Sequence, residues 1–310
     1  MKLLILGGTD FVGRAVAEEG LARGWDVTTF SRGTSSPPVG ATALVGDRRG
    51  DLSAIKQPWD LVVDTWSWEP AAVAASADLL ATVAKRYVYI STRSVYDKPG
   101  PGATEAWPTV HGNPDATTDD DYATSKRGGE LATVRAFGDR ATLLRPGVIF
   151  GPYENTGRLP WWLTRMALGG DILAPAPADA RVQYIDSREL AMLALDAEPG
   201  IFDTVTNTTM GELLVACMTA TGSTGTLVWC DPQQIVHAGI QPWIDLPAWL
   251  PPGELHDSLH GAAVNIASRP IAHTAAQTWA WMQEEDPRQR LDRPVPGLDR
   301  QKEAAFLASR

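Results

Sequence analysis

Short apolar runs alternate with longer amphipathic stretches through the first half of the chain. The runs are rich in Leu, Ile, Val and Phe and have the length of strands, whereas the stretches between them have the length of helices. The predicted strands are Lys2–Leu6, Asp26–Phe30, Ala43–Gly46, Leu61–Thr65, Tyr87–Ser91 and Ala141–Leu144. Because such apolar runs are typical of strands buried on both faces, the pattern predicts a parallel sheet covered by helices on both sides.

Three helices are predicted between these strands. They are Phe11–Arg23, Pro70–Lys85 and Tyr122–Phe137. For the third helix, we expect Thr117 or Thr118 to be the N-cap. The acids Asp119, Asp120 and Asp121 are then expected in its first turn, where negative charge favours the helix dipole.

The character of the chain changes after about residue 150, where Pro, Trp and Gly become frequent. Two short strands, Gln183–Ile185 and Asp203–Thr206, are predicted to return to the first domain. The predicted fold class is α/β, a Rossmann-type doubly wound parallel sheet with a smaller C-terminal substrate lobe. The dinucleotide-binding domain is expected over residues 1–150 with returning segments near 182–206, and the interleaved substrate lobe over residues 151–310.

Composition narrows the functional class. The 310 residues are 44% hydrophobic and 21% charged, which is ordinary for a globular protein. Two cysteines, Cys217 and Cys230, argue against a disulfide framework, and no apolar run suits a membrane span or a signal-peptide core. A net charge of −10 argues against nucleic-acid binding, which depends on Lys and Arg. We expect a cytoplasmic enzyme with a small-molecule substrate and no nucleic-acid or membrane partner; a homodimer is left open.

A glycine-rich turn joins the first predicted strand to the first predicted helix. Glycines permit a tight turn and a close approach of the backbone to a pyrophosphate, whose charge is met by the helix N-terminus. The position directly after an N-terminal strand favours a dinucleotide site over a plain strand-to-helix turn. The residues predicted to surround the cofactor here are Gly7, Thr9, Asp10, Phe11, Val12 and Gly13.

The end of the second strand bears on which dinucleotide is bound. A carboxylate there would accept from a ribose 2′-hydroxyl, but this chain has Ser31 and Arg32. Both side chains can donate to a 2′-phosphate, so NADP(H) is favoured over NAD(H). Asp47 and Arg48, after the third strand, are placed to flank an adenine, although a solvated charged loop is the alternative.

A second cluster has the composition of a proton-transfer site. Tyr122 and Lys126 are four residues apart on a predicted helix and therefore share one face. A lysine ammonium near a phenol favours the ionised phenol. The fifth strand ends in the hydroxyls of Thr92 and Ser94, and ligands of such sheets bind beyond the carboxyl ends of the strands.

Several segments together resemble the extended short-chain dehydrogenase/reductases, the NAD-dependent epimerase/dehydratase family. They are the turn Gly7–Gly13, the segment Ile90–Tyr96, the Tyr122/Lys126 pair and the segment Arg145–Pro152. The resemblance covers roughly the first two hundred residues. It implies Thr92, Tyr122 and Lys126 as the catalytic triad, with Pro146 and Val148 near the nicotinamide. Thr65 and Trp66, at the end of the fourth strand, are expected beside the same ring.

This chain departs from the family pattern in two places. Asp10 replaces the middle glycine of the turn, as in atypical members; because a carboxylate repels pyrophosphate, we expect Asp10 to cap the helix with its side chain turned away. Arg93 and Ser94 follow Thr92, where the family's dehydratases carry Asp-Glu. The resemblance therefore argues against 4,6-dehydration. Some atypical relatives have lost catalysis and act as redox sensors or RNA-binding proteins, but the intact triad favours an enzyme.

Further polar and aromatic residues are candidates for substrate contact. The candidates are Trp68, Ser94, His111, Arg158, Trp161, Trp162 and Trp243. Aromatic walls suit a partly apolar ligand, and an ordinary lobe core is the alternative for the tryptophans. His256 and His260 have the spacing of metal ligands on a helix, but no third ligand is evident and no metal is expected.

The combined prediction is an NADP(H)-dependent oxidoreductase that reduces a carbonyl, or oxidises a secondary alcohol, of a small and partly apolar metabolite. Tyr122 would act as the proton donor, Lys126 would tune it, and Thr92 would orient the oxygen. One alternative is a sugar-nucleotide epimerase that oxidises its substrate transiently with the same triad. The other is a non-catalytic NADP(H)-binding sensor.

Overall fold

The computed structural model describes residues 1–100, 102–119, 121–252, 268–286, 288 and 296–310. Asp120 and the histidine pair His256 and His260 therefore lie outside the described residues. The strands are β1 (Lys2–Leu6), β2 (Asp26–Ser31), β3 (Thr42–Val45), β4 (Trp59–Asp64), β5 (Ala84–Ile90), β6 (Ala141–Pro146), β7 (Val148–Phe150), β8 (Asp171–Pro175), β9 (Arg181–Asp186), β10 (Gly200–Thr204), β11 (Thr206–Thr209) and β12 (Thr226–Cys230). The helices are α1 (Phe11–Ala22), α2 (Pro70–Leu80), α3 (Tyr122–Phe137), α4 (Arg158–Ala167), α5 (Ser187–Asp196), α6 (Met210–Thr221), α7 (Pro232–His237), α8 (Ile271–Glu284) and α9 (Arg300–Ala308).

Seven of the described strands form one parallel sheet, in the order β10-β6-β5-β4-β1-β2-β3. Along β1, alternate side chains point to opposite faces. Leu4 and Leu6 pack in a cluster with residues of α2 and α3, whereas Leu3 lies against Gly20 of α1. Helices thus cover both faces, and the predicted α/β doubly wound class is confirmed.

Helix α3 begins at Tyr122, as predicted, but its cap differs from the prediction. The Asp121 carboxylate accepts from the backbone N–H of Thr124 at 2.9 Å, which makes Asp121 the N-cap. Thr117 and Thr118 are too far along the chain from the first helical residue to reach these amides. The helix stops at Phe137, and Gly138 follows with a φ of 54°.

Helix α2 is shorter than predicted because it ends at Leu80 rather than Lys85. Residues from Ala84 onward instead belong to β5, where Ala84 pairs with Trp59 of β4. Ala, Lys and Arg are good helix formers, but sheet pairing overrides their local preference.

The chain divides into two compact units. The first contains β1–β6, β10, α1–α3 and α5. The second contains the remaining described elements, with a three-stranded sheet β11-β9-β7 and a two-stranded sheet β12-β8. Its core includes the fully buried Trp162 and the almost fully buried Trp249.

Of the two strands predicted to return to the first domain, one does so. β10 pairs with β6 at the edge of the large sheet. The prediction for Gln183–Ile185 is wrong, because β9 pairs with β7 and antiparallel with β11 inside the second unit. A short apolar run predicts that a segment forms a strand, but it does not show which other strand that segment pairs with. Among the described helices, none is both long and apolar enough to cross a membrane.

Candidate active site

The carboxyl ends of β1 and β4 meet where the strand order reverses. From β1 the chain runs outward to β2 and β3, and then returns to the other side of β1 as β4. In open α/β sheets, the crevice at such a switch point binds the ligand. The Gly7–Gly13 turn follows β1 at this point, and Thr65 and Trp66 follow β4.

Glycines allow the turn to pack tightly against its neighbours. Gly7 has a φ of 115°, and a Cβ there would lie 2.3 Å from Thr65 Oγ1. Thr65 in turn donates its hydroxyl to the Leu6 carbonyl at 3.0 Å. A Cβ on Gly13 would lie 2.4 Å from the Gly8 nitrogen, so the first turn of α1 lies directly on the loop. This arrangement suits a pyrophosphate bound by backbone amides.

Asp10 occupies the N-cap position of α1, but its carboxylate makes no capping hydrogen bond. The prediction that its side chain caps the helix is therefore wrong. The extended Asp10 backbone is followed by Phe11 with a φ of 42°, a conformation unusual for a bulky residue. The Thr9 hydroxyl instead donates to Asp10 Oδ2 at 3.4 Å, while Phe11 and Val12 are buried.

The end of β2 presents the two residues predicted to meet a ribose phosphate. Ser31 is half-buried, and its Oγ accepts from the Gly33 N–H at 3.3 Å. Arg32 is exposed and forms no ion pair with any described residue. A half-buried hydroxyl and an exposed guanidinium here fit a phosphate ligand.

Arg48 does not flank an adenine as predicted. It is buried and forms a two-pronged ion pair with Asp64, the last residue of β4, with one contact at 2.8 Å. It also donates to Ser76 Oγ at 2.6 Å, and Tyr87 donates its hydroxyl to the same Asp64 at 2.5 Å. Burial disfavours the Asp64 carboxylate, but the Arg48 guanidinium holds the pKa of Asp64 below its usual value. The guanidinium is thus committed to the core, whereas Asp47 is exposed and accepts from the Arg49 N–H.

Trp66 forms a wall after β4. The guanidinium groups of Arg48 and Arg49 lie 4.9 and 5.3 Å from the centre of its ring, within cation–π range. Its indole N–H donates to the Glu69 carbonyl at 3.1 Å, and Glu69 pairs with Arg49 at 2.6 Å. The ring is therefore held in a fixed orientation. Trp68, two residues further on, is 40% exposed.

Lys126 is buried one helical turn beyond Tyr122. Its ammonium donates to the carbonyls of Trp66 at 2.6 Å and Ile90 at 2.5 Å, so it ties α3 to the ends of β4 and β5. It also lies 4.6 Å from the centre of the Tyr89 ring. Burial lowers the pKa of Lys126 to about 7, although Asp64 and Glu130 act in the opposite direction.

Tyr122 and Thr92 differ in exposure. Tyr122 is the first residue of α3 and is 51% exposed, so a ligand can reach its ring. Thr92 is buried; its Oγ1 accepts from the Ser94 N–H at 3.2 Å and lies 3.3 Å from the Ser94 hydroxyl. Ser94 itself is exposed. The helix start with Tyr122 and Lys126 and the end of β5 with Thr92 are joined through the Lys126–Ile90 contact.

A buried carboxylate beneath these residues was not predicted from the sequence. Glu130 accepts from Ser91 Oγ at 2.7 Å and from Arg145 through both oxygens at 2.8 Å. Nearby, Tyr96 donates its hydroxyl to Asp203 of β10 at 2.7 Å, and burial raises the pKa of Asp203 to about 6. The sequence contains two signals for these buried carboxylates. One is an acid one helical turn after Lys126, and the other is the presence of acids within otherwise apolar strands.

The remaining candidates have different surroundings. Pro146 ends β6 in the first unit, whereas Val148 begins β7 of the second unit and pairs with Tyr184. His111 is exposed in the loop before α3.

The tryptophan candidates of the second unit divide into core and partly exposed residues. Trp162 is fully buried and donates its indole N–H to the Pro247 carbonyl at 2.8 Å, which corrects its assignment to a substrate wall. Trp161 is half-buried and packs edge-on against Trp162 at 4.6 Å. Arg158 lies 5.1 Å from the centre of the Trp243 ring. Trp243 is half-buried, and its backbone φ is 66°. The Arg158 guanidinium and the Trp243 ring thus form a cation–π pair.

Fold and site together define a protein of the Rossmann class of α/β folds. A model of the NAD-dependent epimerase/dehydratase family matches residues 3–197. The chain belongs to that family, and the resemblance noted in its sequence is confirmed. No curated protein matches the chain.

Several solved structures are similar in fold to this chain. The Bordetella bronchiseptica enzyme WbmH in complex with NAD+ is 20% identical, with 92% of this chain and 99% of that chain covered and a TM-score of 0.68. UDP-glucose 4-epimerase from Thermotoga maritima, with UDP-glucose, is 16% identical, with coverage of 92% and 99% and a TM-score of 0.65. dTDP-glucose 4,6-dehydratase from Bacillus anthracis, in complex with NAD, is 13% identical, with coverage of 92% and 97% and a TM-score of 0.64. At these identities the likeness establishes the fold.

Proposed function

We propose that this protein binds a nicotinamide dinucleotide at the β1/β4 switch point and inverts a secondary-alcohol centre of a sugar nucleotide by transient oxidation. The observation that carries the proposal is the position of an accessible Tyr122 one helical turn before a buried Lys126, whose ammonium is bonded to the ends of β4 and β5. When bound, the dinucleotide supplies a nicotinamide that accepts and returns a hydride.

The residues of the chain perform the proton chemistry. Tyr122 takes the hydroxyl proton as the carbon is oxidised and returns it as the carbon is reduced. A neighbouring ammonium favours the ionised form of a phenol, and Lys126 is one helical turn away. Because the pKa of Lys126 is about 7, its charged and neutral forms are both populated near neutral pH. The hydroxyls of Thr92 and Ser94 orient the substrate oxygen.

An epimerase is favoured over a dehydratase and over a net reductase for two reasons. The family and the similar solved structures are named for epimerases and dehydratases. Arg93 and Ser94 follow Thr92, so the acidic pair of the dehydratases is missing. Inversion needs no further acid because the same tyrosine serves both half-reactions.

A panel of UDP- and dTDP-sugars, analysed by NMR, tests this proposal. An epimerase converts one sugar into its epimer with no net change in the dinucleotide absorbance at 340 nm. A net reductase consumes reduced cofactor in proportion to product. If no sugar nucleotide and no carbonyl compound gives either change, the enzymatic proposal is contradicted and a dinucleotide-binding sensor is favoured.

Net carbonyl reduction with NADP(H) is the second candidate. The end of β2 supports its cofactor, NADP(H), because Ser31 and the exposed Arg32 stand there in place of a carboxylate. The similar structures of WbmH and of the Bacillus anthracis dehydratase contain NAD, which supports NAD(H) as the cofactor instead.

Calorimetric titration with both cofactors tests the preference. We expect tighter binding of NADP(H) than of NAD(H), and Arg32→Ala should weaken NADP(H) binding alone by about tenfold or more, because one charge-assisted contact is lost. Lys85→Ala is the matched control, since it removes one exposed charge at the amino end of β5. Tighter binding of NAD(H), unaffected by Arg32→Ala, would contradict the preference.

A further inference from the structure

Glu130 is a fully buried carboxylate in the middle of α3. Both of its oxygens are engaged. Oε1 accepts from Ser91 Oγ at 2.7 Å and from Arg145 Nε at 2.8 Å, and Oε2 accepts from Arg145 Nη2 at 2.8 Å and from Arg127 at 2.7 Å. Burial disfavours the charged form, but the bonds from Arg145 hold the pKa of Glu130 below its usual value. Glu130 is therefore an anion inside the protein.

Two partners of Glu130, on different strands, are adjacent to different parts of the candidate site. Ser91 directly precedes Thr92 at the end of β5, and Arg145 directly precedes Pro146 at the end of β6. Glu130 itself is one helical turn after Lys126, on the helix that begins with Tyr122. One side chain thus joins the three elements that carry Thr92, Tyr122, Lys126 and Pro146.

We propose that Glu130 is a positioning residue, which holds α3 in register against the ends of β5 and β6 and thereby fixes Tyr122 and Lys126 relative to Thr92. Its role in a reaction rests on the proposed function. Its effect on Lys126 is a property of the folded protein and does not depend on any substrate.

The charge of Glu130 also acts on Lys126. Burial lowers the Lys126 pKa most strongly, and Arg48, on the loop after β3, lowers it as well. Asp64 of β4 and Glu130 of α3 raise it, and the Tyr89 ring of β5 lies against the ammonium. Loss of the Glu130 charge should therefore lower the Lys126 pKa. For charges about 6 Å apart in a partly screened interior, the expected shift is about one pH unit or more.

The geometry around Arg145 explains why a glutamine cannot replace the anion fully. Arg145 is buried against the Tyr96 ring at 4.8 Å and bonds the Glu105 carbonyl at 3.3 Å. Its charge is compensated by Glu130 alone among the described ion pairs. Glu130→Gln keeps the shape and one acceptor oxygen but leaves a buried guanidinium without its ion-pair partner. Removal of both charges, in Glu130→Gln with Arg145→Met, avoids this cost.

The test is an NMR titration of the Lys126 side chain in lysine-labelled protein. The chain has six lysines, and Lys126→Met identifies the resonance. We expect the Lys126 pKa to fall by about one unit or more in Glu130→Gln. Glu303→Gln is the matched control, because Glu303 forms another buried pair, with Arg165, in the second unit; it should leave the Lys126 titration unchanged.

If Glu130→Gln fails to fold, the double variant with Arg145→Met is compared with the single variant Arg145→Met, because loss of the guanidinium by itself raises the Lys126 pKa and only the difference isolates the Glu130 charge. A Lys126 pKa that does not fall in Glu130→Gln, or in this matched comparison, would overturn the inference. In a folded variant with the lowered pKa, turnover should also drop by at least tenfold with little change in KM, because the helix register is disturbed. Lack of turnover in the wild-type protein would count against the proposed function and not against the Lys126 result.

Discussion

Lys126 carries its charge at a site where water cannot solvate it. Lys126 is 2% exposed, and the carbonyls of Trp66 and Ile90 replace part of the hydration of its ammonium. Burial nevertheless outweighs the carboxylates of Asp64 and Glu130, so the Lys126 pKa lies near 7 rather than 10.5. The consequence is a proton that binds less tightly in the folded chain than in the unfolded chain.

This difference makes stability depend on pH. Between about pH 7 and 10.5 the unfolded chain keeps the Lys126 proton and the folded chain releases it, so the contribution of Lys126 to the free energy of unfolding rises with pH in this window. Below pH 7 both states are protonated and the full cost of the buried charge remains. From pH 6.5 to 9.5 the contribution should rise by roughly 3 kcal/mol.

Urea unfolding of the wild-type protein and of Lys126→Met, at about pH 6.5 and 9.5, isolates the contribution of Lys126 to the free energy of unfolding. The stability advantage of Lys126→Met over wild type should shrink as pH rises, because methionine does not titrate. Parallel pH profiles for the two proteins would show that Lys126 is not a buried, titrating ammonium.

Individual residues were predictable where their type determines their chemistry. Strand-end and helical spacing drew attention to the hydroxyl, phenol and amine groups of Thr92, Tyr122 and Lys126, and the family resemblance implied them as a triad, which stays a prediction. The position of Arg48 after the third predicted strand suggested an adenine contact, with a solvated charged loop as the alternative, yet Arg48 pairs with Asp64 in the core. A sequence does not show which charges will meet in the interior, since such pairs depend on strands that are distant along the chain.

At the scale of elements, the N-terminus of α3 determines where Tyr122 stands. Asp121 accepts from the Thr124 N–H, and no described acid lies in the first turn. Asp121→Ala should lower the free energy of unfolding by about 1 kcal/mol, since N-cap substitutions cost roughly 0.5–2 kcal/mol. Thermal or urea denaturation measures the change. Asp121→Ser, which can still cap, is the control and should retain most of the stability; equal losses in both variants would contradict the capping role.

Strands were predictable where a short apolar run stands between turn residues, as in β1. Errors arose where tertiary pairing competes with local preference. The segment from Ala84 forms a strand because it pairs with β4, and β9 joins β7 and β11 rather than the large sheet. Partners in a sheet are chosen by packing of the whole chain, which no local pattern reveals.

At the scale of the whole molecule, the C-terminal helix α9 is fastened to the second unit by a buried ion pair. Glu303 pairs with Arg165 of α4 at 2.7 Å and accepts from the Leu173 N–H of β8 at 3.0 Å. Both side chains are about 3% exposed. The last described helix is therefore anchored to this unit through Glu303, its one buried residue.

Glu303→Ala should lower the free energy of unfolding by about 3–5 kcal/mol, because Arg165 would remain buried without its partner. Lys302 is on the same helix as Glu303 and forms an exposed contact with Asp245. Lys302→Ala breaks this contact and should lower the free energy of unfolding by at most about 1 kcal/mol. The denaturation midpoints of Glu303→Ala and Lys302→Ala measure the two losses. Similar small losses would mean that α9 contributes little to this unit.

The most direct measurement of the proposed function is the turnover of Tyr122→Phe on the substrate that the sugar-nucleotide panel identifies, alongside dinucleotide binding by calorimetry. Turnover should fall by about 10²–10⁴-fold, since a general acid–base group is lost while the ring remains. Dinucleotide affinity should be nearly unchanged. Tyr184→Phe is the control, because it removes a phenol that bonds the Arg269 carbonyl in the second unit, and it should retain turnover. Near-full turnover of Tyr122→Phe would contradict the assignment of Tyr122 as the proton carrier.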